Sequence, residues 1–141
     1  MKDRLFFDAN IIYYAFDSSA PKKRSACENL IKEVMSGGII GVVSNQVLGE
    51  LFSAAVKKLS VPPAAAKLLA HTIIASEKWQ KINYTQDTVG RAIEEFGDLR
   101  VPFWDLLIAE TMKENGIATI VTENVKDFER IPWIAVKNPF A

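Results

Sequence analysis

The sequence is poor in the residues on which two common kinds of site depend. Among 141 residues there is one cysteine, Cys27, and one histidine, His71. A lone cysteine excludes an intrachain disulfide and a cysteine-based zinc site. A lone histidine with no His or Cys at ligand spacing offers no convergent group for a metal or catalytic site. Oxygen-bearing side chains are therefore the groups from which a site could be built.

The sequence also lacks long hydrophobic runs and an excess of charge of either sign. No apolar run approaches the ~20 residues of a membrane span, and the N-terminus MKDRLFFDAN lacks the apolar core of a signal peptide. The 17 basic and 17 acidic side chains cancel, whereas a dedicated nucleic-acid-binding domain often has a pI above about 9. We expect a cytoplasmic protein without a membrane anchor. Nucleic-acid binding stays open, because charges can be sorted onto different faces.

Strand and helix patterns alternate along the chain, and the length predicts one domain over residues 1–141. Short apolar, β-branched runs predict strands over 4–8, 38–44, 81–85, 118–124 and 134–138. Helical patterns predict helices over 21–38, 45–59, 62–79, 88–97 and 102–116. Four of them have Pro at the start, Gly at the end or both, and Asn45 is the expected cap of the helix over 45–59. The strands are almost continuously apolar, which indicates burial on both sides. The sequence therefore predicts an α/β fold with a mostly parallel sheet covered by helices on both faces.

An acidic residue interrupts the apolar N-terminal stretch RLFFDANIIYYAFD. Asp8 lies between Phe7 and a second apolar run that begins at Ile11, and a carboxylate in such surroundings is costly unless it is compensated. Asp8 ends the first predicted strand, and ligands of open parallel sheets bind beyond the carboxyl ends of the strands. Two interpretations remain: Asp8 belongs to a site, or it caps the next turn.

Asp105 and Glu50 are acids on predicted helices. The helix of Asp105 is apolar around nearly its whole circumference, which is typical of a buried helix, so Asp105 is expected in or near the interior. Its alternative role is that of a first-turn acid favoured by the helix dipole. Glu50 projects beside the apolar stripe of its helix, so taken alone it is better explained as part of a solvated face.

Together these acids indicate more than each does alone. Carboxylates that converge at one end of a sheet disfavour each other's charged forms, and a divalent hard cation such as Mg²⁺ or Mn²⁺ removes that conflict. A carboxylate cluster without His or Cys suits metal-assisted attack of water on a phosphodiester. The polar residues near predicted strand ends or on the adjoining helices are Asp8, Asn10, Ser44, Glu50, Asp105, Thr122, Glu123, Asn124 and Asp127.

The ordered set of motifs resembles the PIN-domain ribonucleases, especially the VapC-type toxins of toxin–antitoxin pairs. The resemblance rests on FFDANIIYYAFD, VVSNQVLGELFSAAVKK, VPFWDLLIAETMKENG, IVTENVKDFERI and AVKNPF. It covers nearly the whole chain, with less contribution from residues 60–80. It implies a three-layer α/β/α sandwich around a parallel sheet, in agreement with the fold class predicted from the pattern.

The resemblance also implies roles for individual residues. Asp8, Glu50 and Asp105 match the acidic metal ligands of the family. Polar neighbours that hydrogen-bond within the site are matched by Asn10, Ser44 and Thr122. Many family members carry a fourth acid two residues after that threonine, where this chain has Asn124. The fourth catalytic acid is then expected to be Asp127, with Glu123 as the alternative. The amide oxygen of Asn124 could also complete the site by binding a metal or a bridging water, without adding charge.

The activity implied by the resemblance is Mg²⁺- or Mn²⁺-dependent endonucleolytic cleavage of RNA. The implied partners are an RNA substrate, an antitoxin protein and a second copy of the chain in a homodimer. A non-catalytic PIN-like scaffold that binds RNA or protein remains the alternative, because the fourth acid is replaced. A haloacid-dehalogenase-like phosphatase is disfavoured, because the acid it needs two residues after the first Asp is here Asn10.

Overall fold

The computed structural model describes residues 2–59 and 61–140, and within them the chain forms five strands and seven helices. The strands are β1 (Arg4–Phe7), β2 (Ile40–Ser44), β3 (Trp79–Ile82), β4 (Thr119–Val121) and β5 (Ala135–Lys137). The helices are α1 (Ala9–Tyr14), α2 (Pro21–Met35), α3 (Asn45–Lys58), α4 (Pro63–Ala75), α5 (Gln86–Glu95), α6 (Phe103–Glu114) and α7 (Val125–Phe128).

The strands form one sheet in the order β3-β2-β1-β4-β5, and every neighbouring pair is parallel. β1 is the central strand, and its residues Phe6 and Phe7 have no exposed surface. A strand buried on both faces needs a continuous apolar run, which is what LFF supplies. The predicted α/β class with a parallel sheet is confirmed.

The strand order places helices on both faces of the sheet. The chain moves from β1 to β2 to β3 in one direction, then crosses back from β3 to β4 and on to β5. Because crossovers between parallel strands are right-handed, α1–α4 cover one face and α5–α7 cover the other. The direction changes between β1 and β4, and such a switch point opens a crevice at the carboxyl ends of the two strands. Asp8 and Thr122 directly follow these strands.

Two short helices were missed by the sequence analysis. Residues 9–14 form α1 and residues 125–128 form α7, and both are too short for a helical period to show against a run of apolar residues. The first strand, predicted over 4–8, therefore ends at Phe7, and Asp8 is the N-cap of α1. The cap of α3 is Ser44 and not Asn45, because the Ser44 hydroxyl accepts a hydrogen bond from the Val47 N–H at 3.2 Å.

The end of the predicted helix over 62–79 was wrong. α4 ends at Ala75, and Trp79 opens β3, which the sequence analysis placed at 81–85. Trp79 pairs in register with Gly41 and packs edge-on to Phe7, with 5.1 Å between the ring centroids. A Cβ on Gly41 would approach the Trp79 ring to 2.7 Å, so a glycine in the neighbouring strand makes the space that the indole occupies.

The other element bounds move by a few residues only, which is the usual uncertainty of capping and fraying. No helix in residues 2–59 and 61–140 combines the length and the apolarity that crossing a bilayer would need. The expectation of a single domain over residues 1–141 stays a prediction, and Met1, Ser60 and Ala141 lie outside the described residues.

Candidate metal and catalytic site

Asp8 lies at the centre of a hydrogen-bonded group at the carboxyl edge of the sheet. Its backbone N–H continues the β1–β4 ladder by donating to the Val121 carbonyl at 3.0 Å. Its Oδ1 accepts from the Ala9 N–H at 2.8 Å, and its Oδ2 accepts from the Thr122 hydroxyl at 2.7 Å and from the Asn10 amide at 3.4 Å. Asp8 thus caps α1, as one interpretation predicted, and also faces a cleft.

Burial sets the electrostatics of Asp8. Desolvation raises the pKa of its carboxyl group, and the hydrogen bonds from Thr122, Ala9 and Asn10 lower it again without cancelling the effect. The charged form is therefore stabilised by three donors but remains less favourable than in water. A positive charge at this carboxylate would remove the remaining cost.

A chain of hydrogen bonds links Asp8 to Asp105. The Thr122 hydroxyl, which donates to Asp8, accepts from the Asn124 N–H at 2.9 Å. The Asn124 side-chain amide donates to Asp105 Oδ2 at 3.2 Å. A carboxylate at position 124 could not donate in this way, so the departure from the family pattern has a local structural effect: Asn124 orients Asp105 without adding charge.

The titration of Asp105 is strongly changed. It is half-buried in the first turn of α6, and burial together with the charges of Asp8 and Asp127 raises the pKa of its carboxyl group to about 7. The hydrogen bond from Asn124 acts in the opposite direction. The helix dipole alone would lower the pKa of a first-turn acid, so the burial of Asp105, together with the nearby charges of Asp8 and Asp127, outweighs it.

Asp127 and Glu123 have different surroundings. The charge of Asp127, on α7, raises the pKa of Asp105, so Asp127 belongs to the same acidic group. Glu123 instead forms an ion pair with Lys23 and accepts from the Tyr14 hydroxyl at 2.9 Å. Its backbone N–H donates to Asn10 Oδ1 at 3.3 Å. The side chain of Glu123 is thus bound to α1 and α2, while Asp127 adjoins the acids.

Glu50 lies at the rim of the cleft. The residue as a whole is exposed, yet partial burial and the charge of Asp8 raise the pKa of its carboxyl group, while a hydrogen bond from Gln46 lowers it. Ser44 is buried, and the hydrogen bond that its hydroxyl forms is the cap of α3. The structure therefore brings Glu50 to the acids and uses Ser44 to begin the helix that carries it.

Gln46 is a residue at this site that the sequence analysis missed. It lies one helical turn before Glu50, and its amide Nε2 donates to the Trp104 carbonyl at 3.3 Å, which joins α3 to the start of α6. Its Oε1 is a buried side-chain atom with no hydrogen-bond partner among the described residues. The signal in the sequence was the position of Gln46 four residues before Glu50, which places both on the same side of the helix.

The cleft beside the acids has a volume of about 400 Å³. One part of its wall is acidic and another part is basic. The residues that line it are Asp8, Ala9, Asn10, Tyr13, Glu50, Ser53, Ala54, Lys57 and Lys58. A second cleft, of about 350 Å³, lies against α4 and is almost wholly apolar, so it offers no groups for acid–base or metal chemistry.

The donor set fits a hard divalent cation by its chemistry. Asp8, Asp105 and Glu50 supply carboxylate oxygens, the ligands that Mg²⁺ and Mn²⁺ prefer. Burial raises the pKa of all three, and the charge of Asp8 raises the pKa of Glu50 and Asp105 further. Within residues 2–59 and 61–140, no three His, Cys, Asp or Glu side chains are already gathered in metal-binding geometry. A cation would therefore have to draw the carboxylates closer together.

The two remaining residues from the sequence analysis lie outside this site. His71 is exposed on α4, and Cys27 is fully buried in α2. Burial, followed by the nearby charge of Glu123, raises the pKa of the Cys27 thiol to about 12. Cys27 is therefore a packing residue with an unreactive thiol.

Comparisons of sequence and of structure relate this chain to known proteins. The sequence profile of the PIN domain matches residues 5–134. A toxin–antitoxin complex from Klebsiella pneumoniae is similar in structure, with a TM-score of 0.66, 21% identity and coverage of 96% of this chain and 97% of that one. A sequence search of characterised proteins finds no match.

Two further solved structures share the fold. VapC20 of Mycobacterium tuberculosis, a toxin that cleaves the sarcin–ricin loop, has a TM-score of 0.64 and 18% identity over 82% of this chain and 86% of its own. VapBC2 of Rickettsia felis, bound to a DNA fragment of its promoter, has a TM-score of 0.68 and 22% identity over 96% of this chain and 98% of its own. At these identities the likeness shows the fold.

The raised pKa values predict an unusual pH dependence of stability. The folded-state pKa of Asp105, about 7, lies above its ordinary value of 3.8. The folded state therefore binds the proton more tightly, and this stabilisation, complete below the unfolded pKa, is lost as the pH rises through the folded pKa. In EDTA, the free energy of unfolding should fall by about 1 to 2 kcal/mol between pH 4 and 7 because of this group, after allowance for solvent screening.

Urea unfolding at a series of pH values measures this effect. Asp105→Asn should flatten the curve of unfolding free energy against pH. Asp87→Asn, which changes an exposed first-turn acid of α5, should leave the shape of that curve unchanged. Parallel curves for the wild type and Asp105→Asn would contradict the assignment of the crowded carboxyl group.

Proposed function

The chain belongs to the PIN-domain family, and from this premise we propose that it is a metal-dependent endoribonuclease and the toxin of a toxin–antitoxin pair. The observation that carries the proposal is the linked group Asp8–Thr122–Asn124–Asp105 at the switch point of the sheet. This group orients two desolvated carboxylates beside a third, Glu50, across an open cleft. Burying carboxylates close together destabilises the folded state, and a bound cation would offset that cost.

The side chains have separate roles in the proposed reaction. Asp8 and Asp105 would hold Mg²⁺ or Mn²⁺, and Glu50 would hold it or orient the attacking water. When bound, such a cation favours formation of hydroxide from water and stabilises charge on the phosphoryl oxygens. Thr122 and Asn124 keep the two aspartates oriented, and Asn10 donates to the same oxygen of Asp8 as Thr122 does.

The reaction is a hydrolysis in which the water oxygen bonds to phosphorus and a P–O ester bond breaks. The oxygen of the broken bond takes a proton from the solvent, so the RNA ends in a phosphate on one side and a hydroxyl on the other. The proton released from the attacking water needs an acceptor near neutral pH. Where Glu50 orients the water and does not hold the cation, its position suits it to accept this proton, because it lines the cleft together with Asp8 and is exposed to solvent.

The proposal of an antitoxin partner is supported by the structural neighbours, several of which are toxin–antitoxin complexes. For this chain, an antitoxin, a homodimer and a cytoplasmic location remain proposals. Growth arrest on expression of the chain alone, relieved by Asp8→Asn, is the expected result for a toxin. Unimpaired growth with full expression of active enzyme would favour an RNA-processing nuclease.

A second candidate function is supported by two observations. The family's fourth acid is Asn124 here, and three acids are not already gathered in metal-binding geometry among the described residues. A PIN-like scaffold that binds RNA or protein without cleaving it would tolerate both features. Loss of a carboxylate at the site would leave the binding by such a scaffold unchanged, which separates the two functions.

We predict that cleavage requires both a divalent cation and the Asp8 carboxylate. Purified protein incubated with total tRNA and rRNA should produce discrete fragments with Mg²⁺ or Mn²⁺ and none with EDTA. Asp8→Asn should lower the rate at least about 100-fold, the scale of losing a group that stabilises transition-state charge. Asp87→Asn, an exposed control, should cleave as the wild type does. Cleavage that persists in Asp8→Asn would contradict the proposed site.

We further predict that Asp127, and not Glu123, completes the acidic group. Asp127→Asn removes one of the charges crowding Asp105 and should reduce cleavage about 10- to 100-fold, the range seen when a partner of a metal site is lost. Glu123→Gln should retain the cleavage rate while lowering thermal stability, because Glu123 pairs with Lys23 and Tyr14. The reverse pattern of rates would identify Glu123 as the functional acid.

A further inference from the structure

One face of α3 extends the acidic cleft towards a pair of lysines. Glu50, Ser53 and Lys57 are three and four residues apart, so they lie on the same side of the helix, and all three line the cleft that contains Asp8. Seven residues of helix rise about 10 Å. Long side chains on a helix lean back towards its N-terminus, which brings the Lys57 ammonium group closer to the acids than this rise.

The two lysines are not neutralised by carboxylates of the chain. None of the ion pairs among residues 2–59 and 61–140 includes Lys57 or Lys58. The ammonium group of Lys58 lies 5.4 Å from the centroid of the Tyr13 ring, a cation–π distance that restrains it at the cleft wall. The cleft therefore has an acidic part at Asp8 and Glu50 and a separate basic part at Lys57 and Lys58.

We propose that Lys57, with Ser53 and Lys58 beside it, forms a subsite for an RNA backbone phosphate that flanks the bond to be cut. This inference rests on the proposed nuclease function and adds the path of the substrate. RNA that reaches the acids carries its neighbouring phosphates with it, and α3 directs the strand along Ser53 to Lys57. Phosphate contacts position a nucleic acid without reading its sequence.

A local basic subsite matters for RNA binding because the net charge of the protein is zero. With 17 basic and 17 acidic side chains, the protein has no general attraction for a polyanion, and its catalytic acids repel one. Cations in the same cleft provide the local attraction that brings the backbone to the acids. The number of phosphate contacts is then small, so RNA binding should depend only moderately on salt.

Two other roles for these lysines give different results in an experiment. Lys57 and Lys58 lie in the last turn of α3, where a cation stabilises the helix dipole. Lys32 occupies the corresponding turn of α2, is exposed, and is absent from the cleft lining. Lys32→Gln is therefore a matched control for Lys57→Gln. An acidic segment of a protein partner is the second alternative, and it predicts no effect on RNA binding.

The test measures the binding of fluorescein-labelled, single-stranded RNA of mixed sequence in EDTA, over a series of NaCl concentrations. Lys57→Gln should weaken binding several-fold and reduce the slope of log affinity against log salt by about 0.7, the value for one contact with a single strand. Lys57→Arg should retain binding, and Lys32→Gln should match the wild type. Melting temperatures of the two Gln variants should change equally.

Three outcomes would overturn the subsite: Lys57→Gln binds with the affinity and salt slope of the wild type, Lys32→Gln weakens binding as much as Lys57→Gln does, or the wild type does not bind this RNA. Cleavage of the tRNA and rRNA pool with Mn²⁺ is measured in parallel. If the protein cleaves RNA but Lys57→Gln has no effect on binding, only the proposal of the subsite is contradicted. If the salt slope depends on Lys57 but no cleavage occurs, the RNA-binding subsite stands and the proposal of a nuclease is contradicted.

Discussion

The carboxylate of Asp8, buried at the end of the central strand, is the constraint on which the site depends. A charge in that position must be compensated, and the chain supplies three donors: the Ala9 N–H and the Asn10 side chain, both in the first turn of α1, and the Thr122 hydroxyl, which follows β4. These bonds fix the entry of α1 and the exit of β4 relative to the sheet. They do not cancel the desolvation, which leaves the carboxylate suited to bind a cation.

Asn124 shows how this chain limits the negative charge of its site. The site already contains Asp8, Glu50, Asp105 and Asp127: the charge of Asp8 raises the pKa of Glu50 and of Asp105, and the charge of Asp127 raises the pKa of Asp105. A fifth carboxylate at position 124 would face Asp105 and raise its pKa further, whereas the amide donates to it and lowers the pKa. Asn124 thus orients Asp105 without adding negative charge to the site.

The sequence predicted the parts of this structure that rest on long or strongly patterned segments. The apolar strands, the helices begun by Pro21 and ended near Gly116, and the placement of Asp8 at a strand end follow from local chemistry. The short helices α1 and α7 do not, because they are too short to show a helical period. The strand position of Trp79 does not either, because it depends on the space above Gly41 in the neighbouring strand. Glu123 and Asp127 could not be separated from the sequence, since only tertiary contacts bind Glu123 to Lys23 and Tyr14.

The most direct measurement of the central claim is a Mn²⁺ titration followed by electron paramagnetic resonance at neutral pH. The signal of free Mn²⁺ reports binding without any RNA substrate. The wild type and Asp87→Asn should bind the ion, and Asp8→Asn should lose that binding while remaining folded. Binding of equal strength in Asp8→Asn, or no binding by the wild type, would contradict the account of a carboxylate group built around a divalent cation.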